Sequence, residues 1–417
     1  MKKLLAVLLA LMFVVTTNAY AKGKSKPAPK AENFKEMFSK GTAYGQFKTA
    51  WFVKDFDNEA RTDFDTFTVG GNLHFRTAAW QGISAGVGFY TVQDFGVNND
   101  NDPVYPALFP SDGDGVSALG EYYINFKISK TDIKIGAQEL ITPWFKRYDI
   151  QRVIPRTHEA IYIKSKEIED FEIILGHAFR EKDNVSDEFV EMSDLVGGVP
   201  DDADEGVTWG ELKYTGIKGL RLWGAYHQWH NIFENYFFDA LYNHKINNDV
   251  KLFGNFRYAC QDAVGDELAL WDVDSYMVGG KLGIEFFGAT LAGLYSTNGD
   301  NNLAPWRAGM SLLNIMQVTP AFRAEEDSYR IDFEYKLSKI FKPLKGLKLG
   351  VSYGIFDTPD SGNNASEDKT EFDIDLKYQV PFKKGLHLRL RYANVDGDYT
   401  NSRVDQEDYR FFLVYSF

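Results

Sequence analysis

The chain has 417 residues, of which 25% are charged and 44% are hydrophobic, so its composition fits neither a helical membrane protein nor a disordered chain. Acidic residues number 59 against 46 Lys and Arg, which argues against a nucleic-acid-binding protein, because such proteins need clustered positive charge. The single cysteine, Cys260, excludes an intramolecular disulfide and a thiolate zinc cluster. Aromatic residues make up 15%, and this composition is typical of β-sheet proteins.

The N-terminus predicts a secretory signal peptide over residues 1–21. A positively charged start is followed by an apolar run over residues 4–15 and by small residues that end at Ala21. The run is shorter than the roughly 20 apolar residues that cross a bilayer, which disfavours a membrane anchor. Residues 22–41 are predicted to be a periplasmic N-terminal tether. Its Lys-rich and Pro-rich composition favours disorder, and attachment to an envelope component is the alternative.

From residue 42 to the end of the chain, apolar and aromatic side chains recur at every second position, which is the pattern of β-strands. The last segment shows it most clearly, with one face formed by Tyr409, Phe411, Leu413, Tyr415 and Phe417. In several other segments the opposite face is fully charged. A transmembrane barrel shows this alternation on every strand, because one face meets lipid and the other meets water.

Eighteen such segments are predicted to form an all-β, antiparallel transmembrane β-barrel over residues 42–417. They cover approximately residues 43–54, 64–79, 83–93, 118–129, 132–138, 157–166, 170–180, 207–215, 219–229, 234–246, 250–262, 273–286, 289–297, 327–340, 347–357, 370–380, 386–395 and 407–417. With the N-terminus in the periplasm, the periplasmic connections are short and several external ones are long, as in bacterial outer-membrane barrels. The sheet must close, because an open edge in hydrocarbon leaves backbone groups unsatisfied. Eighteen strands enclose a water channel, so the sequence predicts a pore in the bacterial outer membrane.

One segment carries a family resemblance. It contains Gly136-Ala137-Gln138, Thr142-Pro143, Asp149, Arg152, Ile154-Pro155 and Glu159-Ala160. In these residues the sequence resembles the OprD-like family of outer-membrane porins. The resemblance implies passive, partly selective diffusion of small hydrophilic solutes, with the third and the seventh external loops folded into the lumen. It also implies a preference for amino acids or other small carboxylates, guided by a row of arginines.

The third loop, residues 139–156, is predicted to form the constriction, because fixed charges in a narrow aqueous gap select the ions that pass. Pro143 and Pro155 stiffen its backbone. The candidate constriction residues are Lys146, Arg147, Asp149, Arg152, Arg156 and Glu159. The alternative is that these groups pair with one another and with the wall, and so only hold the loop down.

Strand parity places seven arginines on the inner face of the wall, since each would cost roughly 2–4 kcal/mol if it faced lipid near the midplane. The predicted basic residues of the lumen are Arg76, Arg221, Arg257, Arg330, Arg389, Arg391 and Arg410. The predicted acidic residues of the lumen are Asp332, Glu334, Asp373 and Asp375. The arginines either form a ladder for an anionic solute or are neutralised locally. A hairpin turning at residues 381–385 predicts Asp375 opposite Arg391 and Lys377 opposite Arg389.

The long external loops differ in composition. Segment 181–206 contains ten acidic residues and one lysine, and segment 94–117 contains five aspartates and no basic residue. Both are predicted to be solvated, and divalent-cation bridging to lipopolysaccharide is the alternative. Segment 298–326 is rich in Leu, Met and Ile, and it is predicted to pack inside the barrel or over its mouth. A subunit contact is the competing explanation.

No catalytic residue, metal ligand or cofactor is predicted. The histidines are scattered singly, without the spacing of a metal site, and no Gly-x-Ser-x-Gly motif occurs. A rim hydrolase and a plugged structural or adhesive barrel remain the alternatives to a porin. The predicted partners are outer-membrane lipid and lipopolysaccharide, small hydrophilic solutes, and the barrel-insertion machinery acting on Phe417. No nucleic-acid partner is expected, and a monomer and a trimer both remain open.

Overall fold

The computed structural model describes residues 2–16, 29–99, 102–145, 152–196, 205–265, 272–303, 312–398 and 402–417. Eighteen long strands form a closed antiparallel barrel, which confirms the predicted fold. The strands are β1 Thr42–Phe56, β2 Phe64–Arg76, β3 Ile83–Gln93, β4 Val116–Ile128, β5 Thr131–Gln138, β6 Thr157–Ser165, β7 Phe171–Lys182, β8 Val207–Tyr214, β9 Leu220–Trp229, β10 Phe233–Lys245, β11 Val250–Ala263, β12 Ser275–Phe286, β13 Ala289–Asn298, β14 Asp327–Lys336, β15 Leu347–Asp357, β16 Lys369–Gln379, β17 Leu386–Gly397 and β18 Gln406–Ser416.

The barrel closes between its first and last strands. Strand β18 pairs antiparallel with β1, with Asp408 opposite Lys54 and Ser416 opposite Gln46. The remaining long strands pair with their neighbours in chain order, so each of the eighteen has a strand on both sides. This closure satisfies the backbone groups that an open edge would present to hydrocarbon.

Alternation along the strands separates an outer apolar face from an inner polar face. In β14 the side chains of Tyr329, Ile331 and Phe333 are 40–53% exposed on the outer surface. The intervening Arg330 and Asp332 line an internal cavity. The alternating pattern of the sequence therefore corresponds to a lipid-facing surface and a polar lumen.

The connections differ at the two ends of the barrel. We call the connections that follow the odd-numbered strands the external loops and number them in chain order. Four of them are long: loop 2 (residues 94–115), loop 3 (residues 139–156), loop 4 (residues 183–206) and loop 7 (residues 299–326). Those at the opposite end, the periplasmic turns, are short. The longest spans residues 337–346 and contains two 3-10 turns. This asymmetry is the one predicted from the sequence.

The N-terminal region contains helix α1, Lys2–Thr16, and helix α2, Phe34–Ser39. The Asn33 side chain accepts a hydrogen bond from the Glu36 amide at 3.0 Å and so caps the N-terminus of α2, and the Glu36 carboxylate accepts one from the Glu32 amide at 2.9 Å. Residues 29–40 are therefore ordered, whereas composition favoured disorder for this part of the tether. None of the described helices is long and apolar enough to span a membrane.

The tether is also attached to the barrel. Its two-residue strand Lys30–Ala31 pairs in parallel with Ala79–Trp80 in the first periplasmic turn. Composition cannot reveal such a contact, because it depends on backbone pairing with a distant segment.

Candidate functional site: the lumen and its inward loops

Loop 3 enters the lumen through a tight turn. The Thr142 hydroxyl accepts hydrogen bonds from the amides of Trp144 and Phe145 at 3.1 and 2.8 Å. The turn directs both aromatic side chains onto the inner wall, where the Trp144 ring stacks on His227 with ring centres 4.7 Å apart. Phe145 meets Trp209 edge-on at 5.4 Å. These contacts hold the start of loop 3 inside the barrel, as the sequence predicted.

The second half of loop 3 packs together with loop 2. Val153 and Ile154 are buried in a cluster with Leu108 and Phe109 of loop 2. The same cluster contains three large aromatic side chains of the inner wall, Phe52, Tyr90 and Phe412. Loop 2 therefore also folds inward, which its acidic composition did not suggest.

Of the six candidate constriction residues, Lys146, Arg147 and Asp149 lie outside the described residues. The Arg152 guanidinium lies 5.8 Å from the centre of the Tyr105 ring in loop 2. Arg156 donates two hydrogen bonds to the Asp183 carboxylate, at 2.7 and 3.3 Å. For Arg156 this geometry supports the alternative, in which the charge anchors loop 3 to the start of loop 4.

The structure places Glu159 away from the constriction. Glu159 has the strand parity of the exposed Ile161, and a β-bulge at Phe179 in the neighbouring strand β7 sets Arg180 opposite Glu159. The Glu159 carboxylate accepts a hydrogen bond from the hydroxyl of Tyr122, a lipid-side residue, and pairs with Arg180 at 2.5 Å. Glu159 thus belongs to a polar cluster on the outer side of the wall, as its parity with Ile161 indicates.

Three consecutive residues of loop 7 are bound to the inner wall by carboxylates. The amides of Val318 and Thr319 donate to the two oxygens of Glu371 at 2.8 and 2.6 Å. The amide of Gln317 donates to Asp373 at 3.1 Å. We call these five residues the loop 7 latch. The Gln317 side chain adds a hydrogen bond of 2.8 Å to the Asp408 carboxylate of β18, so loop 7 is bound to two strands of the inner wall.

Wall arginines bind the carbonyl groups of the same loop. Arg257 donates to the Leu312 carbonyl at 3.0 Å, and Arg330 donates to the Ile315 carbonyl at 2.7 Å. The Leu312 side chain is buried against Trp144 of loop 3. The described residues of loop 7 are therefore bound to the inner wall of the barrel.

Loop 7 returns to the wall through an ion pair at its end. Arg323 lies 3.3 Å from the fully buried Glu326, whose carboxylate also accepts the Arg323 amide at 2.8 Å. Burial raises the pKa of the Glu326 carboxyl, and the charge and hydrogen bonds of Arg323 oppose that shift.

Most of the predicted lumen arginines have a carboxylate partner. Arg221 and Arg257 share Asp239, each with a contact of 2.8 Å. The other partnered arginines are Arg330 with Asp332 at 2.5 Å, Arg389 with Asp375 at 2.6 Å, and Arg410 with Asp408 at 2.6 Å. For these residues the structure favours local neutralisation over a continuous ladder. Arg76 lies at the last position of β2, far along the chain from this network.

Arg391 differs from its neighbours. The predicted register is confirmed, since Asp375 lies opposite Arg391 and Lys377 opposite Arg389. The Asp375 carboxylate nevertheless binds Arg389, which lies diagonally, through hydrogen bonds of 2.8 and 2.6 Å. Within the part of the chain that the structure describes, Nε and Nη1 of Arg391 are buried and have no hydrogen-bond partner.

Arg391 lines a cavity of about 450 Å³ that is bounded by Ile315 and Met316 of loop 7. Its charged lining residues are Lys281, Arg330, Asp332, Glu334, Asp373, Asp375, Lys377, Arg389 and Arg391. Asp332 binds Lys281 at 3.1 Å, and Glu334 binds Lys377 at 3.0 Å. Asp373 presents a second buried oxygen, Oδ1, for which the described residues supply no hydrogen-bond donor. The cavity is therefore lined by one arginine, Arg391, whose Nε and Nη1 have no hydrogen-bond partner among the described residues.

The sequence alone did not identify Glu371 and Asp408 as residues that bind loop 7, or Asp239 as the partner of Arg221 and Arg257. All three lie at inward positions and are almost completely buried. Strand parity could have shown that they point inward, but it could not show which carboxylates a folded loop would contact. Among the described residues there is no group of His, Cys, Asp and Glu that could hold a metal ion.

The family model described as "outer membrane porin, OprD family" matches residues 42–417. The fold is similar to OpdK from Pseudomonas aeruginosa, crystallised with vanillate, with a TM-score of 0.78 and 18% identity over 91% of this chain and 99% of that chain. It is also similar to a BenF-like porin from Pseudomonas fluorescens Pf-5, with a TM-score of 0.79 and 16% identity over 91% and 99%. OccAB4 from Acinetobacter baumannii gives a TM-score of 0.78 and 17% identity over 94% and 100%. A search of the curated proteins found no match.

Proposed function

Because the chain belongs to the OprD family of outer membrane porins, we propose that its lumen passes small solutes that carry a carboxylate group, amino acids among them. The chain is an outer-membrane porin, and the proposal concerns its solute class. The observation that carries it is Arg391, whose side chain lines the cavity beside loop 7 and whose buried Nε and Nη1 have no hydrogen-bond partner among the described residues.

A carboxylate is the group that best satisfies such a guanidinium. Charge assistance makes a hydrogen bond from a guanidinium to a carboxylate stronger than one between neutral groups. A buried donor without a partner is costly, so a passing carboxylate would be stabilised at Arg391 by roughly 1.5–3 kcal/mol. The neighbouring arginines offer less, because carboxylates of the wall already bind them.

An amino acid fits the charges along the path better than a simple anion does. The external loops carry a large excess of acidic residues, which attract a positively charged amino group and repel a bare anion. The carboxylates of Asp332, Glu334 and Asp375 also line the cavity, and they attract the same amino group. This arrangement accounts for an acidic mouth that leads to an unpaired arginine.

Two further points support the proposal. OpdK was crystallised with vanillate, an aromatic carboxylate, which makes the same class reasonable for this chain. OprD-family proteins are channels rather than enzymes, which supports the proposal that this chain has no catalytic role. A plugged structural or adhesive barrel is the remaining alternative, and it would carry no ion current.

We also propose that residues 1–21 are removed on export and that the insertion machinery binds the C-terminal strand. Phe417 exchanges two backbone hydrogen bonds with Gly45, at 3.0 and 3.1 Å. The terminus is thus paired with the first strand, where a factor that guides closure of the barrel would act.

The test of the solute class is the swelling of proteoliposomes in serine, lactate and arabinose. We expect serine and lactate to enter faster than arabinose, which has no carboxylate group. Arg391→Gln should slow serine and lactate several-fold and leave arabinose unchanged. Arg221→Gln is the matched control, because Asp239 keeps Arg257 as a partner. Unchanged relative rates in Arg391→Gln would contradict the proposal.

A further inference from the structure

The periplasmic turns expose large apolar side chains in a regular way. Every turn from the second to the eighth carries, within it or at the strand end beside it, an Ile or Phe that is 52–78% exposed. These residues are Ile128, Ile168, Ile217, Ile246, Phe287, Ile340, Phe341 and Phe382. Short polar turns would be sufficient to connect the strands in water, so the repeated choice of Ile and Phe requires an explanation.

The first turn has no such residue, but the tether supplies one. The Ala78 amide donates to the Met37 carbonyl at 2.8 Å, which fixes α2 beside the turn at residues 77–82. Helix α2 exposes Phe34 and Phe38, which are 63% and 52% accessible and lie edge to face at 5.3 Å. The apolar residues therefore occur at all eight positions of this end, and we call the set the periplasmic rim.

The opposite end of the barrel differs. Among the described residues of the external loops, only Phe95 and Ile141 are large apolar side chains with comparable exposure. The rim continues the lipid-facing surface of the strands, since Ile128 follows the exposed Ile124 on the same face of β4. Exposed apolar area in water is unfavourable by roughly 25 cal/mol per Å², so continuity with the membrane surface favours contact with lipid.

Charge follows the same division. The seven turns that carry these residues contain eight lysines, no arginine and four acidic residues, although the whole chain has a net charge of −13. The charged residues of the external loops are mostly Asp and Glu. In the longest turn, Lys339, Lys342 and Lys345 flank the exposed Ile340 and Phe341. Lysines beside apolar side chains fit the headgroup layer of a membrane, where phosphate groups lie next to the ends of the acyl chains.

We propose that the periplasmic rim is a lipid-binding surface that sits in the headgroup layer of the inner leaflet and binds anionic phospholipid. The Ile and Phe side chains contact the ends of the acyl chains next to the headgroups. The lysines of the turns bind the phosphate groups. Helix α2 completes the ring at the first turn, so the tether has a membrane-contacting role. The proposal rests on the outer-membrane location and is independent of the solute.

Spin-label accessibility tests this placement directly. In a Cys260→Ser background, single cysteines replace Phe382 or Ile217, and nitroxide labels are compared for collisions with oxygen and with a water-soluble nickel complex. The protein is reconstituted in vesicles of phosphatidylethanolamine and phosphatidylglycerol. Leu282→Cys is the reference for the lipid face, since this side chain is 74% exposed on the wall, and Asn363→Cys is the reference for water.

We expect the labels at 382 and 217 to give oxygen-to-nickel ratios between the two references. Ratios equal to that of Asn363→Cys would overturn the proposal and would leave contact with a periplasmic protein as the explanation of the rim. The lysines have a separate test, in which thermal unfolding is followed in nanodiscs with and without phosphatidylglycerol. Changing Lys339, Lys342 and Lys345 together to Gln should reduce the stabilisation by phosphatidylglycerol, and an unchanged stabilisation would overturn their role.

Discussion

The carboxylate of Asp375 binds Arg389 at 2.6 Å, although Arg391 is the residue directly opposite it in the sheet. This diagonal pairing leaves the Arg391 guanidinium available at the cavity beside loop 7. The selectivity that we propose therefore depends on which of two arginines of β17, Arg389 or Arg391, binds the Asp375 carboxylate.

The first prediction concerns the loop 7 latch. Glu371→Gln replaces one carboxylate oxygen by an NH₂ group, which cannot accept the hydrogen bond from Val318 or Thr319. The loss should weaken the attachment by about 1–3 kcal/mol, so loop 7 should leave the lumen for part of the time. We expect a higher mean single-channel conductance and larger current fluctuations in planar bilayers.

The matched control for the latch is Glu334→Gln. Glu334 also lies on the lumen wall, but it binds Lys348 and Lys377 at 3.1 and 3.0 Å instead of loop 7. Its conductance should stay close to that of the wild type. If both variants have the same conductance as the wild type, the latch does not set the width of the pore.

The second prediction concerns the contact between Trp144 and His227. Trp144→Ala removes the ring that stacks on the wall at 4.7 Å and should release the start of loop 3. Truncation of a buried Trp typically costs about 3–5 kcal/mol, which is enough to disorder a loop. We expect faster entry of larger neutral sugars into proteoliposomes. Phe95→Ala, at an exposed external position, should leave the size limit unchanged.

The third prediction concerns the glycine of the Gly-x-Gln strand end. Gly136 has a φ of +122°, and a Cβ atom there would collide with the backbone carbonyl of Tyr122 in the adjacent strand. Gly136→Ala should therefore destabilise the barrel by about 1–3 kcal/mol, measured by urea unfolding in detergent micelles. Gly293→Ala is the control, since a Cβ atom added at Gly293 would have no other atom within 4 Å. Equal midpoints for the two variants would contradict the steric explanation.

The fold was largely predictable because lipid and water impose a period of two on every strand. The last strand was expected at residues 407–417 and is found at Gln406–Ser416, and the register that sets Asp375 opposite Arg391 was also correct. Parity along a strand fails where a bulge intervenes, as in β7 after Phe179.

The site was less predictable, because it depends on contacts between distant segments. The sequence marked loop 7 as apolar and the wall as charged. It could not show that Glu371 would bind two amides of that loop, or that Asp375 would bind Arg389 instead of Arg391. Such choices follow from loop placement and side-chain rotamers, which have no periodic signature in the sequence.

The most direct test of the account is the reversal potential of single channels in a potassium chloride gradient, compared between the wild type, Arg391→Gln and Arg221→Gln. The account predicts an open channel whose permeability to chloride relative to potassium falls in Arg391→Gln and stays near the wild-type value in Arg221→Gln. The absence of any current in the wild type, or equal reversal potentials in all three proteins, would contradict it.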